Sequence, residues 1–491
     1  MRHFLRKVRE EIFKYKAYGR IRRFRNRTGK TCLLGRRRRA ALWACAGGIV
    51  CMLLTGCAAP ASTVPESSEE QSRVSLRNDG AEAKLVLVEL ETSQARTDAL
   101  REIADKYEAD FPKTEIEIIT LKNAQELEAR LSAGGQTDLL ELHSGWVPAY
   151  VEKGMLKDIK PYMEVWDEWY SLSAAAKQGA RCMGEEHVYL LPASTSQDAL
   201  YYRKDWFESY NDAHPESTLL VPRVWEEVEK AAAALSDQGA GLAVAGKDRL
   251  VDYMDSVVWS SVNVGRMVDI SAAYFSRGFE GKSIFSLEQA QKGMSQFVSV
   301  FSQAVPAEAL QWEEAEAAEA FQQGKTALLL AGEDVYPFLE ENMEEGEWGV
   351  AVYPRGGAGL AVFSDDFAGW GVSAASASTE TAVHFLCFLS NADNNTHLSK
   401  VTDTTPVHLT SYELDDFFLE GKRAVYTEMM KRSDWYQFAS EPQRYEAYSG
   451  YRQEANDKLR DLLSGKMTQQ DLLSWLGEYW DSAYAQEGKK W

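Results

Sequence analysis

The sequence is poor in the residues that staple or puncture a fold, with six cysteines, seven histidines and 13 prolines among 491 residues. Four of the cysteines, Cys32, Cys45, Cys51 and Cys57, precede residue 58, which leaves Cys182 and Cys387 for the body. These two are far apart and sit in no CxxC or Cys/His spacing, which argues against a disulfide framework and a structural zinc site. Two separately buried thiols are the expectation, with a single 182–387 bridge as the alternative. GxSxG, HExxH and a glycine-rich nucleotide loop in strand–helix context are all missing; Gly356-Gly-Ala-Gly359 precedes no helix start and reads as a loop. No cofactor and no metal is therefore expected. Positive charge is scarce too: 54 Lys and Arg face 74 Asp and Glu, a formal net charge of −20. The first 56 residues alone carry 16 basic and two acidic side chains, a net of +14, so the remainder carries −34. A chain so acidic is a poor partner for nucleic acid or an anionic membrane surface.

Long apolar runs are absent apart from one. Arg36 to Arg39 is followed by Ala40-Ala-Leu-Trp-Ala-Cys-Ala-Gly-Gly-Ile-Val-Cys-Met-Leu-Leu54, a basic cluster and an apolar stretch of signal-peptide length, shorter than the roughly 20 residues of a spanning helix. It ends Leu54-Thr55-Gly56-Cys57, which resembles the bacterial lipobox. That resemblance implies acylation of Cys57 and its exposure as a new N-terminus, with the acyl chains anchoring the protein. Ala58 to Asn78 is rich in Ser, Pro, Glu and Ala and has too little apolar surface to order itself, so it reads as a tether.

With 45% hydrophobic and 26% charged residues, the body is long enough for two cores. Lys84–Leu90 is a short apolar run of strand length. Thr97 to Phe111 has Leu100, Ile103, Ala104, Tyr107 and Phe111 at helical spacing. Thr114–Thr120 reads as a second strand, Ala124 to Ala133 as a second helix and Thr137–Leu142 as a third strand. Such alternation predicts an α/β fold with parallel strands and covering helices. Ligands of such sheets bind at the carboxyl ends of the strands, here the loops that begin at Glu91 and His143.

From residue 83 to 491 the order of segments resembles the maltose-binding-protein-like extracellular solute-binding proteins of ABC importers. The segments are Asp138-Leu-Leu-Glu-Leu with Tyr150-Val-Glu-Lys-Gly-Met-Leu-Lys-Asp-Ile, Tyr189-Leu-Leu-Pro with Ala199-Leu-Tyr-Tyr-Arg-Lys-Asp-Trp-Phe, Val224-Trp-Glu-Glu, Ala320-Phe-Gln-Gln-Gly-Lys-Thr-Ala-Leu-Leu-Leu-Ala-Gly332, Trp348-Gly-Val-Ala-Val-Tyr-Pro and Phe367-Ala-Gly-Trp-Gly. Leu462-Leu-Ser-Gly-Lys-Met-Thr-Gln-Gln-Asp-Leu resembles the terminal helix pair. Val224 stands where relatives place a threonine cap, and Asp403-Thr-Thr-Pro406 lacks the usual glycine.

The resemblance implies a two-lobed periplasmic-binding-protein-like fold of type II, each lobe a mixed or parallel sheet covered by helices, with a ligand cleft between them. Residues 1–56 would be leader and signal peptide, and 57–80 the lipidated cysteine and tether. Lobe one would comprise 81–193 and about 371–408, and lobe two 194–370 and about 409–491. The implied function is capture of a small polar solute, a mono- or oligosaccharide first, for delivery to the permease subunits of an ABC importer. The protein would be an exported monomer held on the outer face of the cell membrane by its lipid anchor alone. Mapped segment by segment, the candidate ligand residues are Glu91, Ser93 and Gln94, then His143, Ser144 and Trp146, then Ser196 and Gln197 at the crossing strand. Lobe two offers Asp252, Tyr253, Trp259, Asp334, Tyr336, Trp370, Tyr448 and Tyr451. Each also has a structural reading: Ser93 as a helix cap, Trp259 as core, the tyrosines as a packed stripe. A polyamine or another cation on the same fold, a surface glycan-active enzyme, and a sensor without an importer stay open as alternatives.

Overall fold

In the computed structural model of the chain, the described residues are 76, 78, 80, 82–90, 93–184, 186–195, 197–236, 240–262, 283–363, 367–438 and 446–487. The leader, Cys57 and nearly all of the tether lie outside them, as do Glu91 and Ser196. Ser72–Trp491 is one compact unit.

Strand β1 (Ala83–Leu90) is buried on both faces except at Lys84, as expected of an interior strand flanked by parallel neighbours. Helix α1 (Gln94–Asp110) buries Leu100, Ile103, Ala104 and Tyr107 as the spacing predicted, and Ser93 caps it by accepting from the Arg96 amide. Strand β2 (Thr114–Leu121) pairs with β1 in parallel over eight residues, from Ala83↔Thr114 to Leu90↔Leu121. After α2 (Ala124–Ser132), β3 (Leu139–His143) returns on the other side of β1. Two antiparallel returns extend this sheet. The chain runs through α3 (Ala174–Ala180) into β4 (Leu191–Thr195), and much later supplies β10 (Phe367–Val372) and β11 (Thr405–Pro406). The order is β11-β4-β10-β3-β1-β2. At Gly369 a Cβ would lie 2.4 Å from the Leu191 carbonyl oxygen, so glycine is what lets β10 and β4 close at their register shift.

The second sheet has the order β6-β7-β5-β8, formed by β5 (Ala199–Arg203), β6 (Ala240–Ala243), β7 (Thr326–Ala331) and β8 (Trp348–Ala351). Helices α4 (Trp225–Ala234) and α5 (Leu250–Trp259) belong to this half, as do α6 (Tyr336–Asn342) and α8 (Ala424–Lys431). Helix α7 (Ala392–Thr402) packs on α1 in the first half. A parallel pair, β9 (Ala361–Phe363) and β12 (Tyr436–Phe438), sits beside α5. Helices α9 (Ala447–Leu463) and α10 (Gln469–Glu487) close the chain. The chain passes between the sheets three times: from β4 to β5, from β9 to β10, and from β11 to α8. The sheet pairing begins β10 at Phe367 and carries β4 to Thr195, so the lobe boundaries expected at 193 and about 371 fall inside these strands.

One contiguous apolar cluster runs from Val86, Val88 and Leu142 through Ala199 and Leu200 to Leu328–Leu330, so the two sheets share packing. Cys182 and Cys387 are both buried, and no disulfide joins them. At Asp403, C-cap of α7, the backbone takes φ 55°, the left-handed conformation that glycine adopts most readily. Asp tolerates it better than most residues.

Candidate functional site

The carboxyl ends of β1 and β3 and the start of β10 lie side by side on one edge of the first sheet, with Ala368 opposite His143. Thr195, at the end of β4, pairs with both Phe367 and Thr405. The corresponding edge of the second sheet is formed by the start of β5 and the end of β7, Ala199 opposite Ala331. The two edges meet. Thr405 in β11 donates its amide and its hydroxyl to Glu333, just past β7, at 3.1 and 2.5 Å. Arg423 forks onto Asp403 at 2.7 and 2.6 Å and reaches Glu340 on α6 at 3.2 Å. A small cavity at this seam is lined by Tyr336, Thr404, Phe417 and Tyr426, among others.

On the first edge, His143 and Trp146 are half-buried with ring centroids 4.5 Å apart. Ser144 accepts the amide of Phe367 at 3.0 Å and so pins the start of β10. Ser93 acts as the helix cap, and exposed Gln94 donates to Asp98 at 2.8 Å. Below them lies a network that sequence reasoning missed. Arg96 binds Glu89 at 2.9 Å and Glu141 at 2.8 Å, Glu141 also accepts the Leu90 amide, and Thr97 and Thr120 donate to Glu89. All three charged groups are buried, which is tolerable only because they are paired and hydrogen-bonded. Trp370 is buried in the first lobe, 1% exposed, with the Arg96 guanidinium 5.4 Å from its ring. It lines a small cavity together with Arg96, Glu141 and Ser194.

On the second edge the crossing from β4 to β5 carries Gln197 and Asp198. Gln197 is 1% exposed, and among the described residues neither its amide nitrogen nor its amide oxygen has a hydrogen-bond partner. Asp198 accepts from Arg249 at 2.9 and 2.8 Å; burial pushes its carboxyl up to about 6 against the pull of that guanidinium. Arg249 also reaches Glu314 at 2.9 Å, and Glu314 accepts the amide of Gly332 at the same distance. Asp252 pairs with Arg452 at 2.8 Å, and Arg452 accompanies Tyr448, 3.2 Å from its hydroxyl. These interactions clamp the end of β7, the start of α5 and the face of α9 together.

The remaining candidates divide by exposure. Tyr448 is half-buried and Asp334 exposed. Tyr253 and Trp259 are fully buried in α5, Tyr253 donating to the Leu330 carbonyl at 3.3 Å. Tyr451 is fully buried and donates to both oxygens of Asp255, at 2.8 and 3.0 Å. Burial holds that carboxyl well above its usual range. Tyr336 is 5% exposed and lies beneath Arg423, whose guanidinium is 4.2 Å from its ring. His143, Ser144 and Trp146 thus stand at the carboxyl end of β3 and Gln197 on the crossing from β4 to β5, Ser144 and Gln197 buried and the two rings half-buried, while Tyr336 lines the cavity at the seam. Trp259, Tyr253, Tyr451 and Trp370 are packed inside the lobes. Among the described residues no cluster of His, Cys, Asp and Glu could hold a metal ion. The missed charges left a trace: Glu89 and Glu141 each stand at a buried position between apolar strand residues, and a carboxylate there demands a partner.

The chain resembles known binding proteins in sequence and fold. A binding protein of Brucella abortus (strain 2308) is 25% identical over 250 residues, 48% of this chain and 54% of its own length. The chain thus spans about half the length of the curated relatives it matches. The sugar-binding protein MalE of Xanthomonas citri superposes with a TM-score of 0.66 at 14% identity, covering 82% of this chain and 98% of its own. Maltose-bound MalE3 of T. maritima gives 0.61 at 18% identity, over 82% and 99%. An ABC substrate-binding protein of Listeria monocytogenes in complex with cycloalternan gives 0.62 at 16% identity, over 83% and 100%. At such identities these likenesses speak for the two-lobed fold alone. The sequence family described as bacterial extracellular solute-binding protein matches residues 102–422, about two thirds of the chain, and to that family this protein belongs.

Proposed function

We propose that this protein is a lipid-anchored extracytoplasmic solute-binding protein that captures a neutral polyhydroxy solute, a mono- or oligosaccharide, and hands it to an ABC importer. The observation that carries this reading is the meeting of two polar sheet edges across three chain crossings, in a chain of the solute-binding family. A solute that touches both edges favours the conformation in which they meet, and this differential affinity is what makes binding readable by a transporter. The balance of charge favours a neutral ligand over a polyamine. Asp198, Asp252, Glu89 and Glu141 already have guanidinium partners within the protein, whereas the Gln197 amide has no hydrogen-bond partner among the described residues. An amide offers one donor face and one acceptor, which suits adjacent hydroxyls. The half-buried rings of Trp146 and Tyr448 supply apolar faces. The Leu54-Thr-Gly-Cys57 motif and the polar tether support export and anchoring.

The test is a thermal-shift screen of the full chain against saccharides and polyamines, since a ligand that binds only the folded form raises the melting temperature as its concentration passes the dissociation constant. A saccharide is expected to give the shift. A response to spermidine with none to any saccharide would overturn the ligand assignment, and mass spectrometry of the membrane-extracted protein lacking acyl groups on Cys57 would overturn the anchor.

A further inference from the structure

Among the described residues, Arg355 of the second lobe forms no ion pair. Arg355 lies in the connection between β8 and β9, and its backbone is fixed on both sides: its amide donates to the Arg223 carbonyl at 3.0 Å, and its carbonyl accepts the Trp225 amide at 3.3 Å. That second bond replaces the missing side-chain cap of α4, where Val224 contributes none. Nothing comparable holds the Arg355 side chain. Its Nε is buried without a hydrogen-bond partner, and among the described residues no carboxylate forms an ion pair with its guanidinium. The ring of Trp435 lies 4.3 Å from the guanidinium carbon.

Trp435 carries a second guanidinium, that of Arg432 at 3.4 Å, so two cations share one indole. Arg223, exposed, joins them from the strand-like bridge between Val224 and Arg355. The convergence is felt at Tyr436. Burial pushes its hydroxyl up to about 12, Arg355, Arg223 and Arg432 all pull it down, and Glu428 pushes it up. The nearby carboxylates do not answer Arg355. Asp434 is taken by Arg432 at 3.0 and 3.1 Å, and Glu227 accepts the backbone amide of Arg223 at 2.8 Å. In a chain whose body is strongly acidic, an unpaired, half-buried guanidinium flanked by two more is out of keeping with its surroundings. A guanidinium nitrogen sealed from water without an acceptor has lost hydration without compensation.

We propose that Arg355, with Arg223 and Arg432 around Trp435, forms a binding site for an oxyanion group on the surface of the second lobe. A sulfate, phosphate or carboxylate presents paired oxygens that match the planar fork of a guanidinium, and Trp435 holds that fork in place from one side. The site does not depend on the saccharide reading. The oxyanion is either a free inorganic anion or the acid group of a small solute.

The experiment is the melting temperature of the full chain in sodium sulfate against sodium chloride at matched ionic strength, for the wild type, Arg355→Gln and Arg223→Gln. Sulfate stabilises proteins generally by exclusion from their surfaces, so the diagnostic is a saturable rise that Arg355→Gln abolishes and Arg223→Gln weakens roughly tenfold in half-saturating concentration. Glucuronate and acetate separate the sources. Glucuronate saturating at lower concentration than sulfate and acetate assigns the site to an acidic solute; sulfate or phosphate saturating first assigns it to a free anion. A non-saturating sulfate response, or an equal one in the wild type and Arg355→Gln, overturns the proposal. If Arg355→Gln does not fold, Arg223→Gln decides alone, and an unaltered half-saturation there overturns it equally.

Discussion

Thr405 gives both its amide and its hydroxyl to Glu333, and this pair of hydrogen bonds joins a strand of the first sheet to the loop that ends β7 in the second. Both residues are buried, so the carboxylate has little water to fall back on. Thr405→Val keeps the branched shape and removes one donor. Hydrogen bonds to charged groups contribute about 1.5–3 kcal/mol, and a loss of that size is expected in urea unfolding with the slope unchanged. Because the bond spans the lobes, the solute-free variant should also show a larger radius of gyration by small-angle scattering. A variant as stable and as compact as the wild type would show that the contact carries no weight.

The aromatic candidates separate by burial, and their truncations should separate in the same way. Trp146 and Tyr448 are half-buried, whereas Trp259 and Trp370 are at most 1% exposed. Trp259→Ala and Trp370→Ala are expected to cost about 3–5 kcal/mol of stability by leaving cavities. Trp146→Ala and Tyr448→Ala should cost much less and should weaken solute binding, as calorimetry with the solute found in the screen would measure. The opposite pattern, stable Trp370→Ala with binding lost, would make Trp370 the solute platform and require that the lobes open around it.

That division explains how much of the molecule was legible in advance. β1, α1 and β2 announced themselves because apolar spacing at period 3.6, and runs buried on both faces, are local properties. The meeting of Arg96 with Glu141 is not local: it joins residues 45 positions apart, and only the strand order brings them together. Asp403 shows a subtler limit. The absent glycine looked like a change of loop geometry, yet Asp403 adopts the left-handed backbone itself, and Arg423 from the other lobe is paired with its carboxylate. Trp370, between two glycines, is a candidate ligand contact from sequence. The glycines are there for the close approach of β10 to its neighbours, and the indole points into the core.

Two buried titratable groups act in opposite directions with pH. His408 is fully buried, with Nε2 2.7 Å from the Ser390 carbonyl and Nδ1 2.6 Å from the Ser171 hydroxyl, and burial lowers its value to about 4. The unfolded chain therefore binds this proton more readily, so stability is complete above about 6.5 and falls by up to about 3 kcal/mol as pH drops toward 4. Asp198, raised to about 6, works the other way. Its folded form holds the proton more tightly than the unfolded chain, and its contribution declines as pH rises from about 4 to 6, by a comparable amount. Urea midpoints at pH 4.5 and 7.5 separate the two. Wild type minus His408→Gln should shrink at the lower pH, and wild type minus Asp198→Asn should shrink at the higher. Differences that do not move with pH would remove both groups from the titration.

Gln197 sets stability against binding. Its amide is buried without a partner among the described residues at the crossing from β4 to β5, a position where an unmet polar group costs about 1–3 kcal/mol. Gln197→Met keeps the length and flexibility of the side chain and removes the amide. If the amide is held there for a solute, the variant should be as stable as the wild type or more so, by up to about 2 kcal/mol, since the desolvation cost disappears. Its affinity for the solute should fall roughly tenfold or more, because a hydroxyl that enters the site then finds no partner. Calorimetry and urea unfolding on one protein preparation give both numbers. A variant that binds normally would make Gln197 a structural residue, whatever its stability. A variant that gains stability while losing solute would identify the amide as a group kept at a cost to the fold for the sake of recognition.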